Sequence, residues 1–203
     1  MIAVIADIVA SRDVKAQKRR EFNNKIQDLL SQVYDRFKQD CIAIPALTQG
    51  DSIELLVKRW EPVVFLFHRL LMEKLDFRVG FGTGEVIILK SNADDCDGPA
   101  FWNAREALNQ IKSVKYMNRS AGFKFDSETP SDEKNAVINT ILLYTAFLGL
   151  SSTQLEYCFE YLWEKMSITE IARATKTSKG NISKVLSKTP CYLLEEVMAF
   201  LSN

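Results

Sequence analysis

The sequence predicts a mixed α+β fold: an antiparallel sheet with helices against it, followed by an all-helical segment. Three observations predict it. "MIAVIADIV" is an apolar, β-branched run of the kind that forms a central strand. Strand-like and helix-like patterns then alternate through the first part of the chain. Beyond "SETPSDEKNA", the most polar and turn-prone stretch, only helical patterns remain. The boundary therefore falls between a first domain at 1–126 and a second at 127–203.

After the first strand, residues 13–39 place Phe22, Ile26, Leu29, Leu30, Val33 and Phe37 at helical spacing, which predicts an amphipathic helix. "CIAIPALT" reads as a strand, "QGD" as a tight turn and "SIELLVK" as its antiparallel partner. Residues 62–75 read as a second helix, with Pro62 suited to a first turn. "FRVGFGTGEVIIL" reads as a glycine-punctuated strand or strand pair, its glycines allowing close packing against the first strand. "GPAFWNAREALNQIK" reads as a third helix with Pro99 near its start. Strand, helix, strand, turn, strand, helix, strand, helix is the order of a ferredoxin-like or palm sheet, with helices expected on one face. Gly80, Gly82 and Gly84 do not make a dinucleotide-binding loop, because no helix begins within the motif.

Composition narrows the function classes. The 203 residues carry 26 Lys+Arg against 26 Asp+Glu, so any surface for a polyanion must be local. The opening run has an Asp inside it and no preceding basic residues, so it does not read as a signal peptide. "NAVINTILLYTAFLGL" is too short and too interrupted to span a membrane. A cytoplasmic protein without membrane contact is the expectation. Cys41, Cys96, Cys158 and Cys191 form no C-x-x-C pair and read as small core or surface thiols. His68, the single histidine, sits among apolar residues and reads as structural.

Asp7 is the residue that the first strand does not explain, since a carboxylate in an apolar run is costly unless paired. The topology sets the end of that strand beside the following hairpin turn, so Asp7 and Asp51 should approach one another. Two carboxylates there repel unless a cation joins them, and oxygen ligands suit Mg²⁺ or Mn²⁺ accompanied by phosphate. From the residues alone, the plainer account is favoured: Asp7 caps a backbone turn and Asp51 is an ordinary Gly-Asp hairpin residue.

The ordered set of segments adds to this. "ADIVASR", "TQGDSIELLV", "FRVGFGTGEV" and "GPAFWNAREAL" resemble, in order and approximate spacing, the landmarks of the palm domain of class III nucleotide cyclases. With the helical C-terminal region, the chain resembles the bacterial SatD family, which pairs such a region with a helix-turn-helix. The resemblance implies a metal site formed by Asp7, Asp51 and the carbonyl of Ile8, holding Mg²⁺ or Mn²⁺. It implies a triphosphate-binding turn at Val9, Ala10 and Ser11, with Arg12 a further phosphate-facing residue. Arg105 matches the arginine that stabilises charge on the transferred phosphoryl group. It further implies a homodimer, because palm cyclases complete their site across a dimer interface, with Arg105 reaching the partner's metal. Phe101 stands where cyclases have a ribose-placing asparagine, and Leu47 where they have a base-selecting lysine or glutamate. Both departures weigh against ordinary cyclisation of ATP or GTP.

"SITEIARATKTSKGNISKVLSK" has the form of a helix-turn-helix. Ser167 and Glu170 make a capping box, "TKTS" is the turn, and Ser178 caps a second helix whose inward residues are Ile182, Val185 and Leu186. Lys176 falls where a left-handed residue is required. Between Lys165 and Lys188 the cations Lys165, Arg173, Lys176, Lys179, Lys184 and Lys188 face Glu170 alone. Lys179, Asn181, Ser183 and Lys184 are expected in the major groove of DNA, and Lys176 and Lys188 on phosphates. The alternative is a helical hairpin with a solvated basic face that serves dimerisation.

These readings point to a DNA-binding regulatory protein whose palm domain senses a metal and a nucleotide or related phosphate. The alternative is a nucleotidyl cyclase or related phosphoryl-transfer enzyme with an accessory helix-turn-helix. A third reading is a palm that has lost its metal and acts as a scaffold.

Overall fold

A computed structural model describes residues 1–9, 16–48, 51–114 and 119–201. Among these, five strands and eight α-helices form a mixed α+β structure whose sheet is mostly antiparallel. Its order is β2-β3-β1-β4-β5, where β1 is Ile2–Ile8, β2 Ala46–Thr48, β3 Ser52–Val57, β4 Phe77–Thr83 and β5 Ser120–Lys124. β1 lies at the centre, antiparallel to β3 with Asp7 opposite Ser52, and antiparallel to β4 with Asp7 opposite Arg78. β5 runs parallel to β4.

β1 is buried on both sides, which explains its nearly continuous apolar run. Ile2, Val4, Ala6 and Ile8 join a large core with α1 (Ala16–Arg36) and α2 (Glu61–Met72). Ala3 and Ile5 join a smaller core with α3 (Pro99–Lys112) on the other face. Helices therefore lie on both faces of the sheet, and not on one as the element order suggested. The glycines of β4 explain the second layer. A Cβ at Gly80 would collide with the backbone of Ala104, and one at Gly82 with the backbone of Ala100 and Ala104. The close approach is thus to α3 and not, as expected from the sequence, to the first strand.

Two strand expectations are corrected as well. β4 stops at Thr83, and "EVIIL" leaves the sheet as a loop held by a single bridge between Ile88 and Asp97. "CIAIPALT" supplies only three residues of regular strand, with isolated bridges at Cys41 and Ile44. The expected turn residues Gln49 and Gly50 lie outside the described residues.

The remainder is helical: α4 (Ser131–Leu148), α5 (Ser152–Leu162), α6 (Ile168–Ala174), α7 (Lys179–Leu186) and α8 (Cys191–Leu201). The larger core runs without a break from β1 through Phe67, Tyr144 and Phe147 to Ile171, Ile182 and Leu186. Tyr144 of α4 stacks on Phe77 at 5.0 Å between ring centroids, and its hydroxyl donates to the Phe77 carbonyl. His68 of α2 is fully buried. Trp163 donates its indole N–H to His68 Nδ1 (3.1 Å), so Nε2 carries the ring proton and donates to the Leu155 carbonyl (2.9 Å). The imidazole also stacks on Phe147 at 4.3 Å. All four cysteines are buried, and no described helix is long and apolar enough to cross a membrane.

Candidate functional site

Asp7 ends β1 on the α3 face, and its partner is Lys112, whose ammonium lies 3.0 Å from the Asp7 carboxylate. Lys112 is the last residue of α3, where a cation also suits the helix C-terminus. Asp51 is drawn alongside by backbone pairing: the Ile8 N–H donates to the Asp51 carbonyl at 3.0 Å. The two aspartates therefore occupy adjacent strand ends, as the topology predicts. The Val9 N–H is taken by the Asp76 carbonyl at 2.8 Å. Ala10, Ser11 and Arg12 lie outside the described residues.

Strand alternation sorts the neighbours. Asp7, Ser52 and Glu54 fall on the α3 face, as do Ala46 and Thr48, which pair with Glu54 and Ser52. Among the described residues no α-helix covers β2 and the start of β3 on this side, where the 3₁₀ turn Ala93–Asp95 packs, and the five residues, each half-buried, form the floor of a patch. Arg105 of α3 is exposed, and its positive charge acts on Glu54. Burial raises the Glu54 carboxyl above the usual carboxylate range and Arg105 opposes this, while Asp94 and Asp97 add to the rise. Arg105 and Lys112 thus line the α3 side of a patch that carries Asp7 and Glu54.

Sequence reasoning names Asp7, Asp51 and Arg105 and does not name their neighbours Lys112 and Glu54. The signal for Glu54 was present, since "SIEL" alternates polar and apolar residues and sets Ser52 and Glu54 on one face. Phe101 is fully buried in the smaller core, and Leu47 packs toward the α1 side, opposite to Asp7. Neither position offers a polar group to the patch. Asn103 donates its side-chain amide to the Thr83 carbonyl at 2.9 Å.

A divalent cation can be weighed against this donor set. Among the described residues no three His, Cys, Asp or Glu side chains gather into a metal cage. A Mg²⁺ that arrives with phosphate, however, needs only one or two carboxylates from the protein. Asp7 and Asp51 stand at adjacent strand ends and would have to provide them, with the Lys112 ammonium already against Asp7.

The second candidate surface lies on α6 and α7. Ser167 caps α6: its N–H and hydroxyl both donate to Glu170, whose own N–H donates back to the Ser167 hydroxyl. These bonds hold the Glu170 carboxyl below its usual range. At the other end Lys176 adopts φ 53°, the left-handed conformation that the turn demands. The Thr177 N–H reaches the Ala172 carbonyl (2.9 Å) and the Lys176 N–H the Arg173 carbonyl (3.3 Å), closing the helix. Ser178 then caps α7 by accepting from the Asn181 N–H. Ile182 and Leu186 are buried, whereas Lys179, Asn181, Ser183, Lys184 and Lys188 are exposed, as is Lys176 in the turn. The Asn181 side-chain amide donates to the Thr177 hydroxyl at 3.2 Å.

A family model described as the SatD family matches residues 1–189. The chain belongs to the SatD family. The matched span of this SatD-family chain takes in the Asp7–Asp51 end of the sheet and both α6 and α7, and stops before α8. None of the curated proteins matches the sequence.

Proposed function

We propose that this protein is a DNA-binding regulator in which α6 and α7 form a helix-turn-helix and the sheet domain, of palm type, senses a metal-bound nucleotide or related phosphate. The observation that carries the reading is the pair of capped short helices joined through a left-handed Lys176, with Ile171, Ala172, Ile182 and Leu186 inward and Lys179, Asn181, Ser183 and Lys184 outward. α7 is the recognition helix; Lys176 and Lys188 meet phosphates at its two ends. The sensing half rests on less: two aspartates at adjacent strand ends and two cations on α3. Mg²⁺ or Mn²⁺ bound by Asp7, Asp51 and the Ile8 carbonyl would displace Lys112 from Asp7, and residues 9–12 would receive the phosphates. The functional unit is a homodimer in the cytoplasm, as suits a helix-turn-helix reading two half-sites.

The rival reading is a nucleotidyl cyclase or related phosphoryl-transfer enzyme with an accessory helix-turn-helix. The patch of Asp7, Glu54, Arg105 and Lys112 favours it. The burial of Phe101 and the inward turn of Leu47 weigh against it, because neither ribose nor base would find its usual partner.

Fluorescence anisotropy with duplex DNA across a salt series tests the leading reading. Binding should weaken linearly in log affinity against log salt, and Lys184→Ala should flatten that slope by about one if Lys184 meets a phosphate. If Lys184 reads a base instead, the loss is about 1–3 kcal/mol and confined to one base position. Binding to DNA that is unaltered by Lys184→Ala and by Lys179→Ala would remove α7 as the recognition helix.

A further inference from the structure

Two thiols meet where α5, the end of α7 and the start of α8 come together. Cys158 lies in the second half of α5, and Cys191 opens α8, which follows α7 after a short linker at 187–190. Both side chains are fully buried. The Cys191 thiol donates to the Cys158 sulfur, and the Cys158 thiol donates to the Thr189 hydroxyl at 3.5 Å. That hydroxyl donates in turn to the carbonyl of Leu186, the last residue of α7, at 2.7 Å, and accepts the Cys191 N–H at 3.1 Å. One chain of hydrogen bonds therefore runs from α8 through both sulfurs to the end of α7.

The other two cysteines are placed differently. Burial pushes the Cys41 thiol up to about 11, as befits an inert core thiol, and the Cys96 thiol is bonded to the backbone of Lys90 and Asn92. The hydrogen bond from Cys191 moves Cys158 the other way, below the usual thiol value, because it stabilises the thiolate, while Cys191 holds its own proton more tightly. The pair also lies only one residue deep. Thr189, which touches the Cys158 sulfur, is itself half-buried, and Ser187 and Lys188 before it are exposed.

The geometry points to a redox site: Cys158 and Cys191 join as a disulfide when a hydroperoxide reaches them, and the change is felt at the end of α7. Cys158 Sγ attacks one peroxide oxygen and the O–O bond breaks, leaving Cys158 as the sulfenic acid and the peroxide as water or an alcohol. Cys191 Sγ then attacks the Cys158 sulfur. The S–S bond forms, the S–O bond breaks, and the hydroxyl leaves as water with the Cys191 proton. The two thiols give up two electrons and two protons, and the peroxide takes them. Drawing the sulfurs from hydrogen-bond distance to a bond of about 2 Å also removes the Cys158 donor from Thr189, so the linker shifts and Lys188 with it. That consequence for DNA rests on the proposed helix-turn-helix; the disulfide itself does not.

The test treats the full chain with a small excess of hydrogen peroxide and reads intact mass, free thiols and linked peptides. The product should be lighter by about 2 Da, keep two of its four thiols, contain a linked peptide pair carrying Cys158 and Cys191, and revert with a dithiol reductant. Cys191→Ser should stop at the sulfenic acid, trapped on Cys158 by a 1,3-diketone. DNA affinity of the oxidised parent, measured by anisotropy, should fall roughly 5-fold or more and recover on reduction. Four thiols that survive the peroxide, or a link through Cys41 or Cys96, overturn the redox pair. A Cys158–Cys191 disulfide that leaves DNA affinity unchanged overturns its effect on α7. Should the reduced chain bind no DNA, the helix-turn-helix reading fails, while the mass and the peptide map still decide the pair.

Discussion

Asp7 can end a central strand because Lys112 meets it at 3.0 Å, and the chain therefore needs no metal to make the carboxylate tolerable in its resting state. That changes what metal binding should look like. Mn²⁺ must compete with an ammonium, so Lys112→Ala should enlarge the Mn²⁺-induced rise in melting temperature, while Asp7→Asn with Asp51→Asn should abolish it. A rise that is the same in all three proteins would place the ion at another site. His68 gives a second residue-scale outcome. Burial lowers its pKa from 6.5 to about 4 in the folded protein. Within that window the unfolded chain binds a proton that the folded one refuses, so stability is full above the unfolded value and falls as pH drops toward the folded one. Urea denaturation should show a loss of about 2 kcal/mol between roughly pH 7 and pH 5. A flat profile there would mean that burial does not hold the imidazole neutral in the folded protein. Asp7 was legible in the sequence because it interrupts an apolar run; Lys112 was not, because its partner is set by how α3 crosses the sheet, which no local pattern encodes.

At the scale of elements, the long amphipathic helices and the buried strands could be read from periodicity, whereas β5 could not. "SAGFK" is short, pairs on one side only and begins with three small residues, so it has neither the alternation nor the apolar density that marks β1. The strand ending at Thr83 was overrun for the opposite reason: "VIIL" has strong strand character but is held away from the sheet by the backbone bonds to Asp97. Tertiary contact decided both. The glycines show the same division. Gly82→Ala must push α3 off the sheet and should cost about 1–3 kcal/mol or more by thermal or urea unfolding. Gly149 has open space around its Cβ position and φ −82°, so Gly149→Ala should stabilise by about 0.4–1 kcal/mol through the unfolded chain. Equal effects at the two positions would contradict the packing of β4 on α3. Capping at Ser167 was readable as a motif and is present as a reciprocal pair of bonds, so Ser167→Ala should weaken α6 by about 1 kcal/mol.

Across the whole molecule, one core joins the sheet to the short C-terminal helices. α2 lies under β1 and β4, His68 on α2 bonds to Leu155 of α5, and α5 packs on both α6 and α7. A change at the carboxylate end of β1 therefore has a packed path to α7, although a path is not in itself a coupling. The central claim is that the protein is a DNA-binding regulator responsive to a metal-bound phosphate ligand, and a coupling free energy is what that claim amounts to. The direct measurement is DNA affinity by anisotropy at fixed salt, with and without Mn²⁺ plus a nucleoside triphosphate, for the parent and for Asp7→Asn with Asp51→Asn. The account predicts salt-dependent binding by both proteins, with a shift of roughly 5-fold or more on adding Mn²⁺ and nucleotide in the parent and none in the double variant. No salt-dependent DNA binding by the parent in either condition would contradict it.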